Sequence, residues 1–147
     1  MATISLCMIV TNESAVLARC LDSIADLMDE IIIVDTGSTD NTKEIAAQYT
    51  SRIYDFKWTS DFSAARNFSF SKATMEYIYT ADADEILDDA NRERFLRLKG
   101  ALLPEIEIVQ MKYVTQGTFD TVLNAKKEYR PKLFRRLRTF TWIDPIH

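Results

Sequence analysis

The sequence predicts an α/β fold in which a mostly parallel sheet carries helices on both faces. Over the first two thirds of the chain, short apolar runs rich in β-branched residues alternate with segments whose apolar residues recur every three or four positions. Alternation of this kind indicates parallel strands joined by right-handed crossovers. The strand-like runs are also nearly continuous in their apolar character, which is typical of sheets covered on both faces.

The first half of the chain supplies two strands and two helices. The run "ISLCMIV" has strand length, and the segment after it repeats apolar side chains at helical spacing, with Asn12 or Ser14 as the candidate cap. The run "EIIIVD" is the second strand, and a short helix follows the polar segment "TGSTDN". The expected bounds are 4–10 and 30–35 for the strands and 13–28 and 42–49 for the helices.

The second half continues the alternation and then changes. We expect a third strand at 51–56, a helix at 60–73 opened by Ser60 or Asp61, and a fourth strand at 75–81. Asp88 and Asp89 precede a further helix that carries Phe95, Leu98 and Leu102 on one face. The remaining segments, at 105–117, 119–124 and 128–137, are predicted to be antiparallel or mixed strands.

Length and composition fit one soluble folded domain. A chain of 147 residues is long enough to bury a core as one unit but would be marginal if split in two. Hydrophobic residues make up 47% and charged residues 27%, which excludes a disordered chain. The net charge of −4 argues against a general nucleic-acid binder, which needs surplus Lys and Arg.

Cysteine usage and the N-terminal sequence favour a cytoplasmic location. Cys7 and Cys20 are too few for a disulfide framework. The N-terminal residues lack the positive start of a signal peptide, and no apolar run approaches the roughly 18 residues that a membrane span needs. We therefore expect a reduced cytoplasmic protein that neither inserts nor is exported by itself.

A basic segment contrasts with the acidic balance of the chain. The residues "KKEYRPKLFRRLR", from Lys126 to Arg138, contain many cations and a single acid. They could form a solvated edge strand that charge protects from pairing, or a surface that meets phosphates or an acceptor. Both interpretations stay open.

Three acids crowd behind the fourth strand in "EYIYTADADEIL". In extended backbone Asp82 and Asp84 would point to the same side and repel one another unless a cation lay between them. Carboxylate oxygens are the ligands that Mg²⁺ and Mn²⁺ prefer. The alternative is a solvated turn in which Asp82 caps backbone amides while Asp84 and Glu85 open the next helix.

Polar residues also follow the first two strands, as "TNE" and "DTGSTD". Ligands of such sheets collect beyond the carboxyl ends of the strands, so these ends are expected to line one crevice with the acidic pair. Asp35 could accept hydrogen bonds from a base or ribose, or cap the adjacent turn. Arg66 could bridge two phosphate oxygens, or be an exposed helix residue paired with an acid. The nearby aromatic residues expected in the core are Phe62, Phe68 and Phe70.

The ordered series "SLCMIVTNES", "EIIIVDTGSTDNT", "FSAARNFS", "YIYTADADEIL" and "KLFRR....TWIDPIH" resembles the family 2 inverting glycosyltransferases. The resemblance covers the whole chain and implies their GT-A fold, a Rossmann-like, mostly parallel sheet flanked by helices. Each motif is short, but the ordered set is specific. The family often has a second acid after the one at Asp35, whereas this chain has Thr36, a departure that a recognisable branch shares.

The resemblance implies a role for each site residue. It implies a divalent cation, Mn²⁺ or Mg²⁺, and a nucleoside diphosphate sugar, with UDP-sugars favoured; Glu85 is expected to start a helix rather than bind a ligand. The acceptor (glycan, lipid or protein), peripheral association with a membrane and the oligomeric state stay open, and no nucleic acid is implied. The implied contacts are Thr11 and Glu13 with the nucleotide, Asp35 with the base, Arg66 with the diphosphate, Asp82 with ribose or metal, and Asp84 with the metal.

The catalytic base and the extent of the chain are linked expectations. In the resembled family the base lies in or beyond the stretch "TWIDPIH", so the candidates are His147 or a residue past it. We expect 1–147 to be a single nucleotide-sugar-binding domain truncated at its C-terminal end. The alternative functions are a non-catalytic nucleotide-sugar-binding domain or inactive fragment, and a phosphatase of the haloacid dehalogenase type. The phosphatase would need its acid pair on the first strand, so we disfavour it.

Overall fold

The structure is a computed structural model that describes residues 1–102, 108–115 and 126–136. Within these residues the chain forms a six-stranded sheet and four α-helices. The strands are β1 (Ile4–Val10), β2 (Glu30–Asp35), β3 (Ile53–Asp55), β4 (Tyr77–Thr80), β5 (Ile108–Thr115) and β6 (Lys126–Arg135). The helices are α1 (Leu17–Ile24), α2 (Thr42–Ala46), α3 (Phe62–Lys72) and α4 (Asp89–Ala101).

The sheet is mostly parallel and has the strand order β3-β2-β1-β4-β6-β5. Strands β1 to β4 run parallel to one another, β6 runs antiparallel to β4, and β5 runs antiparallel to β6. From β1 the chain first builds outward through β2 and β3, and then returns to place β4 on the other side of β1. Strand order therefore reverses between β1 and β4, and the crevice beyond the carboxyl ends of these strands is the expected ligand position.

Side chains that alternate along β1 enter two separate cores. Ile4, Leu6, Met8 and Val10 belong to the larger core, which α1 and α4 cover. Cys7 belongs to the smaller core on the opposite face, which includes residues of α3. Because successive strand residues point to opposite faces, helices on both sides of the sheet are required to cover them. The predicted α/β architecture is confirmed.

Helix α1 begins later than the sequence predicts. It starts at Leu17, and neither Asn12 nor Ser14 caps it, since the residue before it, Val16, provides no side-chain cap. The backbone oxygen of Glu13 instead accepts from the N–H groups of Val16 and Leu17. Asn12 has a left-handed backbone conformation, with φ of 52°, so the residues before the helix form a turn.

Two predicted helix caps lie where the sequence placed them. The Asp61 carboxylate accepts from the N–H of Ala64 at 3.2 Å, so Asp61 rather than Ser60 opens α3. The Asp88 carboxylate accepts from the N–H of Asn91 at 2.9 Å and opens α4. Helix α2 is shorter than predicted and ends at Ala46.

The basic segment does not form an edge strand. Strand β6 lies between β4 and β5, so the edge-strand interpretation is wrong. Lys132, within this strand, is buried. The predicted strand at 119–124 and His147 lie outside the described residues. Among the helices that the structure describes, none is both long enough and apolar enough to cross a bilayer.

Candidate functional site

The loops that follow β1 and β2 are joined by hydrogen bonds. The side-chain oxygen of Asn12 accepts from the N–H of Thr39 at 2.8 Å and from that of Asp40 at 3.3 Å. In return, the Asn12 N–H donates to the Ser38 hydroxyl at 2.9 Å. The hydroxyls of Thr11 and Thr36 are also in contact. The structure therefore brings the first two polar strand ends together.

Asp35 combines a turn contact with a buried oxygen that has no partner. It is the last residue of β2 and is only 2% exposed. Its Oδ1 accepts from the N–H groups of Gly37 and Ser38, each at 2.8 Å. Within the described part of the chain, its Oδ2 is buried and has no hydrogen-bond partner. Because an unsatisfied buried acceptor is costly, Oδ2 is a candidate position for a ligand donor.

Gly37 permits the turn that Asp35 closes. Its φ is 121°, a conformation that side chains with a Cβ rarely adopt. The capping interpretation of Asp35 is therefore right for one carboxylate oxygen, and the second oxygen remains for another role.

The acidic residues after β4 lie in a turn. Strand β4 ends at Thr80, and the N–H of Glu85 donates to the backbone oxygen of Asp82 at 3.0 Å. The prediction that Asp82 and Asp84 share a side of extended backbone is therefore wrong. Glu85 does not start a helix either, because α4 begins only at Asp89. Asp84 is exposed and Asp82 is half-buried.

The pKa of Glu13 is affected by acidic residues in both neighbouring loops. Burial raises the pKa of its carboxyl above the ordinary value, and the charges of Asp84, Asp82 and Asp40 raise it further. The ends of β1, β2 and β4 therefore share one electronegative region. A cation placed there would relieve this repulsion.

The donor set of this region suits a hard cation only in part. Carboxylate oxygens such as those of Asp82 and Asp84 are the ligands that Mg²⁺ and Mn²⁺ prefer. However, no three His, Cys, Asp or Glu side chains in the described ranges are close enough to hold a metal ion together. The arrangement fits an ion that takes part of its coordination from ligand phosphates and water.

Arg66 lies on α3 and faces the end of β4. Its guanidinium carbon is 4.8 Å from the centre of the Phe62 ring. Burial lowers the pKa of Arg66, while the charges of Asp82 and Glu85 oppose that change. The interpretation of Arg66 as an exposed helix residue is therefore wrong. The small cleft beside it is lined by Cys7, Ile9, Phe62, Arg66, Ser69, Phe70, Thr80, Ala81 and Asp82.

Of the three phenylalanines of α3, two pack against the smaller core, and Phe70 lines the cleft as well. Phe68 and Phe70 pack against the smaller core, as predicted. Phe62 lines the cleft and contacts Trp58, whose side chain is exposed, at a ring distance of 6.2 Å. The prediction of a core position for Phe62 is wrong. Phe62 is the first residue of α3, and its ring packs against the Arg66 guanidinium at the cleft instead of entering the core.

Sequence reasoning missed Lys132 as a residue near the site. In the sequence it stands out only as part of the basic segment, yet its ammonium pairs with Glu85 at 2.7 Å. A lysine between a proline and two large apolar residues in a predicted strand is a signal that could have indicated burial.

Comparison with known proteins identifies the family. The model of Glycosyl transferase family 2 matches residues 5–147, so the chain belongs to this family. It is 33% identical over 132 residues to the SPbeta prophage-derived glycosyltransferase SunS of Bacillus subtilis, covering 87% of this chain and 31% of that protein. It is 48% identical over 87 residues to a TPR repeat-containing protein of Synechococcus elongatus, covering 59% and 22%. The chain thus spans a third or less of the length of these relatives.

A solved structure supports the same fold. The structure of glucosyl-3-phosphoglycerate synthase from Mycobacterium tuberculosis, in complex with Mn²⁺ and UDP-glucose, has a TM-score of 0.51 and 27% sequence identity. The similarity covers 58% of this chain and 34% of that one. The GT-A fold predicted from the sequence is confirmed.

Proposed function

We propose that this chain is the donor-binding portion of a glycosyltransferase that moves a sugar from a UDP-sugar to an acceptor hydroxyl with inversion. The observation that carries the proposal is the unpartnered, buried Oδ2 of Asp35 beside an electronegative crevice at the reversal of strand order. Relatives named as glycosyltransferases and a similar structure that contains UDP-glucose support it.

The nucleoside would lie across the ends of β1 and β2. A uracil ring carries one N–H donor, which suits the free acceptor of Asp35. Thr11, exposed at the end of β1, and the half-buried Glu13 would border the nucleotide. Hydrogen bonds from the base to a buried carboxylate would give selectivity, because a ligand without the donor leaves Oδ2 unsatisfied.

The diphosphate would lie between α3 and the acidic turn. Arg66, held against the Phe62 ring, would donate to phosphate oxygens and stabilise the charge that develops on the leaving group. Asp84 would hold a divalent cation, with Asp82 shared between the cation and the ribose. A cation held there would supply Lewis-acid stabilisation of the departing nucleoside diphosphate.

Inversion requires the acceptor hydroxyl to attack from the face opposite the leaving group, while a base takes its proton. Our candidates for this base remain His147, which lies outside the described residues, or a residue past it.

The test separates binding from catalysis. The chain is screened by thermal shift against UDP-sugars with and without Mn²⁺, since a ligand that prefers the folded state raises the Tm. Each sugar nucleotide that stabilises the chain is then used in a form that is radiolabelled in its sugar. Hydrolysis of this donor, or transfer of the labelled sugar, is followed over time. We expect stabilisation that depends on Mn²⁺, with release or transfer of label.

The absence of any stabilisation by UDP-sugars would overturn the proposed donor site. Stabilisation without turnover would overturn catalysis by this chain. It would favour the alternative, a non-catalytic nucleotide-sugar-binding domain or an inactive fragment of a longer enzyme.

A further inference from the structure

Lys132 and Glu85 form a largely buried ion pair that joins β6 to the acidic turn. The Lys132 ammonium lies 2.8 Å from Oε1 and 2.7 Å from Oε2 of Glu85. The two side chains expose only 10% and 14% of their surface. Removing one partner of such a pair is strongly destabilising, because it leaves an uncompensated charge out of water.

An irregularity in β6 explains how Lys132 reaches this position. Leu133 pairs with Val109 of β5 and Pro131 pairs with Gln110, so Lys132 has no partner residue on β5. An extra residue of this kind interrupts the alternation of side chains and redirects one of them. The ammonium of Lys132 consequently lies 5.4 Å from the centre of the Tyr79 ring, on the face where Leu133 and Tyr79 enter the larger core.

Glu85 transmits this constraint to the acidic turn. Its Oε1, which accepts from Lys132, also accepts from the N–H of Asp82 at 3.1 Å. The backbone of the same two residues is joined in the opposite direction, since the Glu85 N–H donates to the Asp82 oxygen at 3.0 Å. One carboxylate therefore closes the turn that contains Asp84 and attaches it to β6.

The ion pair neutralises one of the three acids of the turn. Lys132 compensates Glu85, so the uncompensated negative charge of the turn comes from Asp82 and Asp84. These are the two carboxylates assigned above to the cation and the ribose. A second layer of contacts that orients the residues in contact with a metal commonly determines its affinity.

We propose that Lys132 and Glu85 are positioning residues that fix the turn at 82–85 and thereby set the affinity of the site for the cation and diphosphate of the donor. This inference rests on the proposed function. The pair acts through Asp82 and Asp84 and does not itself contact the ligand.

The first experiment measures binding of UDP with Mn²⁺ by calorimetry to the wild-type chain and to three variants. Lys132→Met and Glu85→Gln are expected to weaken binding by about tenfold or more. Lys132→Arg, which keeps the positive charge, is expected to retain most of the affinity. Binding of uridine, which has no phosphate, should change less than twofold in all three.

Two further variants separate positioning from loss of stability. Lys99→Met removes a second buried lysine, whose ammonium pairs with Asp29 at 2.8 Å near the opposite ends of the strands. It should lower the Tm without changing UDP affinity. The double variant Glu85→Gln/Lys132→Met leaves no uncompensated buried charge, so it should stay folded yet still bind UDP and Mn²⁺ more weakly. Affinity of the double variant or of Lys132→Met within twofold of wild type would overturn the proposal.

The second experiment needs no ligand. Hydrogen exchange at the Asp82 and Glu85 amides is followed by NMR, and it should be faster in Lys132→Met than in the wild type or in Lys99→Met. If the wild type binds no UDP, the proposed function fails, while faster exchange would still support the positioning of the turn. Unchanged exchange at these two amides would overturn the role of the pair.

Discussion

The side-chain oxygen of Asn12 lies 2.8 Å from the backbone nitrogen of Thr39, and this contact joins the loop after β1 to the loop after β2. Asn12 adopts a φ of 52°, which asparagine tolerates better than most residues. One residue thus supplies both the backbone turn and the hydrogen bonds that align the first two strand ends.

Replacement of Asn12 should separate these two contributions. Asn12→Gly loses the side-chain acceptor but keeps the backbone conformation, so we expect a loss of about 1 kcal/mol in the free energy of unfolding. Asn12→Ala adds the cost of a left-handed conformation, about a further 1 kcal/mol. Urea unfolding of the three proteins measures the difference. Equal stability of the two variants would show that the backbone at Asn12 is not constrained.

Asp35→Asn tests the proposed base contact. The amide can keep an oxygen for the N–H groups of Gly37 and Ser38, but it replaces the free acceptor with a donor. Since hydrogen bonds to charged groups contribute about 1.5–3 kcal/mol, affinity for UDP should fall by about tenfold or more, both with and without Mn²⁺. Calorimetry under both conditions provides the measurement. A mutant whose metal-free affinity equals that of wild type would contradict the contact.

Arg66→Gln tests the diphosphate contact. The guanidinium offers paired donors that glutamine cannot reproduce, so binding of UDP should weaken by about tenfold while binding of uridine changes little. Lys72→Gln on the same helix is the matched control, because its ammonium lies over the Tyr54 and Phe68 rings. A similar loss for uridine and UDP would show that Arg66 supports the fold rather than the phosphates.

The sequence was sufficient for the elements that local patterns determine. Strands β1 and β2 match the expected bounds because both are continuous apolar runs. Asp61 and Asp88 were identifiable as caps because a cap acts on residues only three positions away. The alternation of strands and helices also predicted that the first four strands are parallel, as the structure shows.

Contacts between distant residues could not be predicted in this way. Asn12 resembles a helix cap in its local sequence, but its side-chain oxygen accepts hydrogen bonds from Thr39, 27 positions away. Glu85 looks like the start of a helix, yet a lysine 47 positions later holds it in the turn. That lysine is redirected by the pairing register of β5 and β6, which its neighbours in sequence do not reveal.

The central claim is that the crevice at the ends of β1, β2 and β4 binds a nucleoside diphosphate together with a divalent cation. The most direct test is calorimetry of UDP binding, with and without Mn²⁺, to the wild type, to Asp84→Asn and to the control Asp89→Asn, which alters an acid at the start of α4. We predict that Mn²⁺ strengthens UDP binding about tenfold or more in the wild type and control. Asp84→Asn should lose this enhancement and keep the wild-type Tm. An enhancement by Mn²⁺ that is the same in Asp84→Asn and wild type would contradict the account.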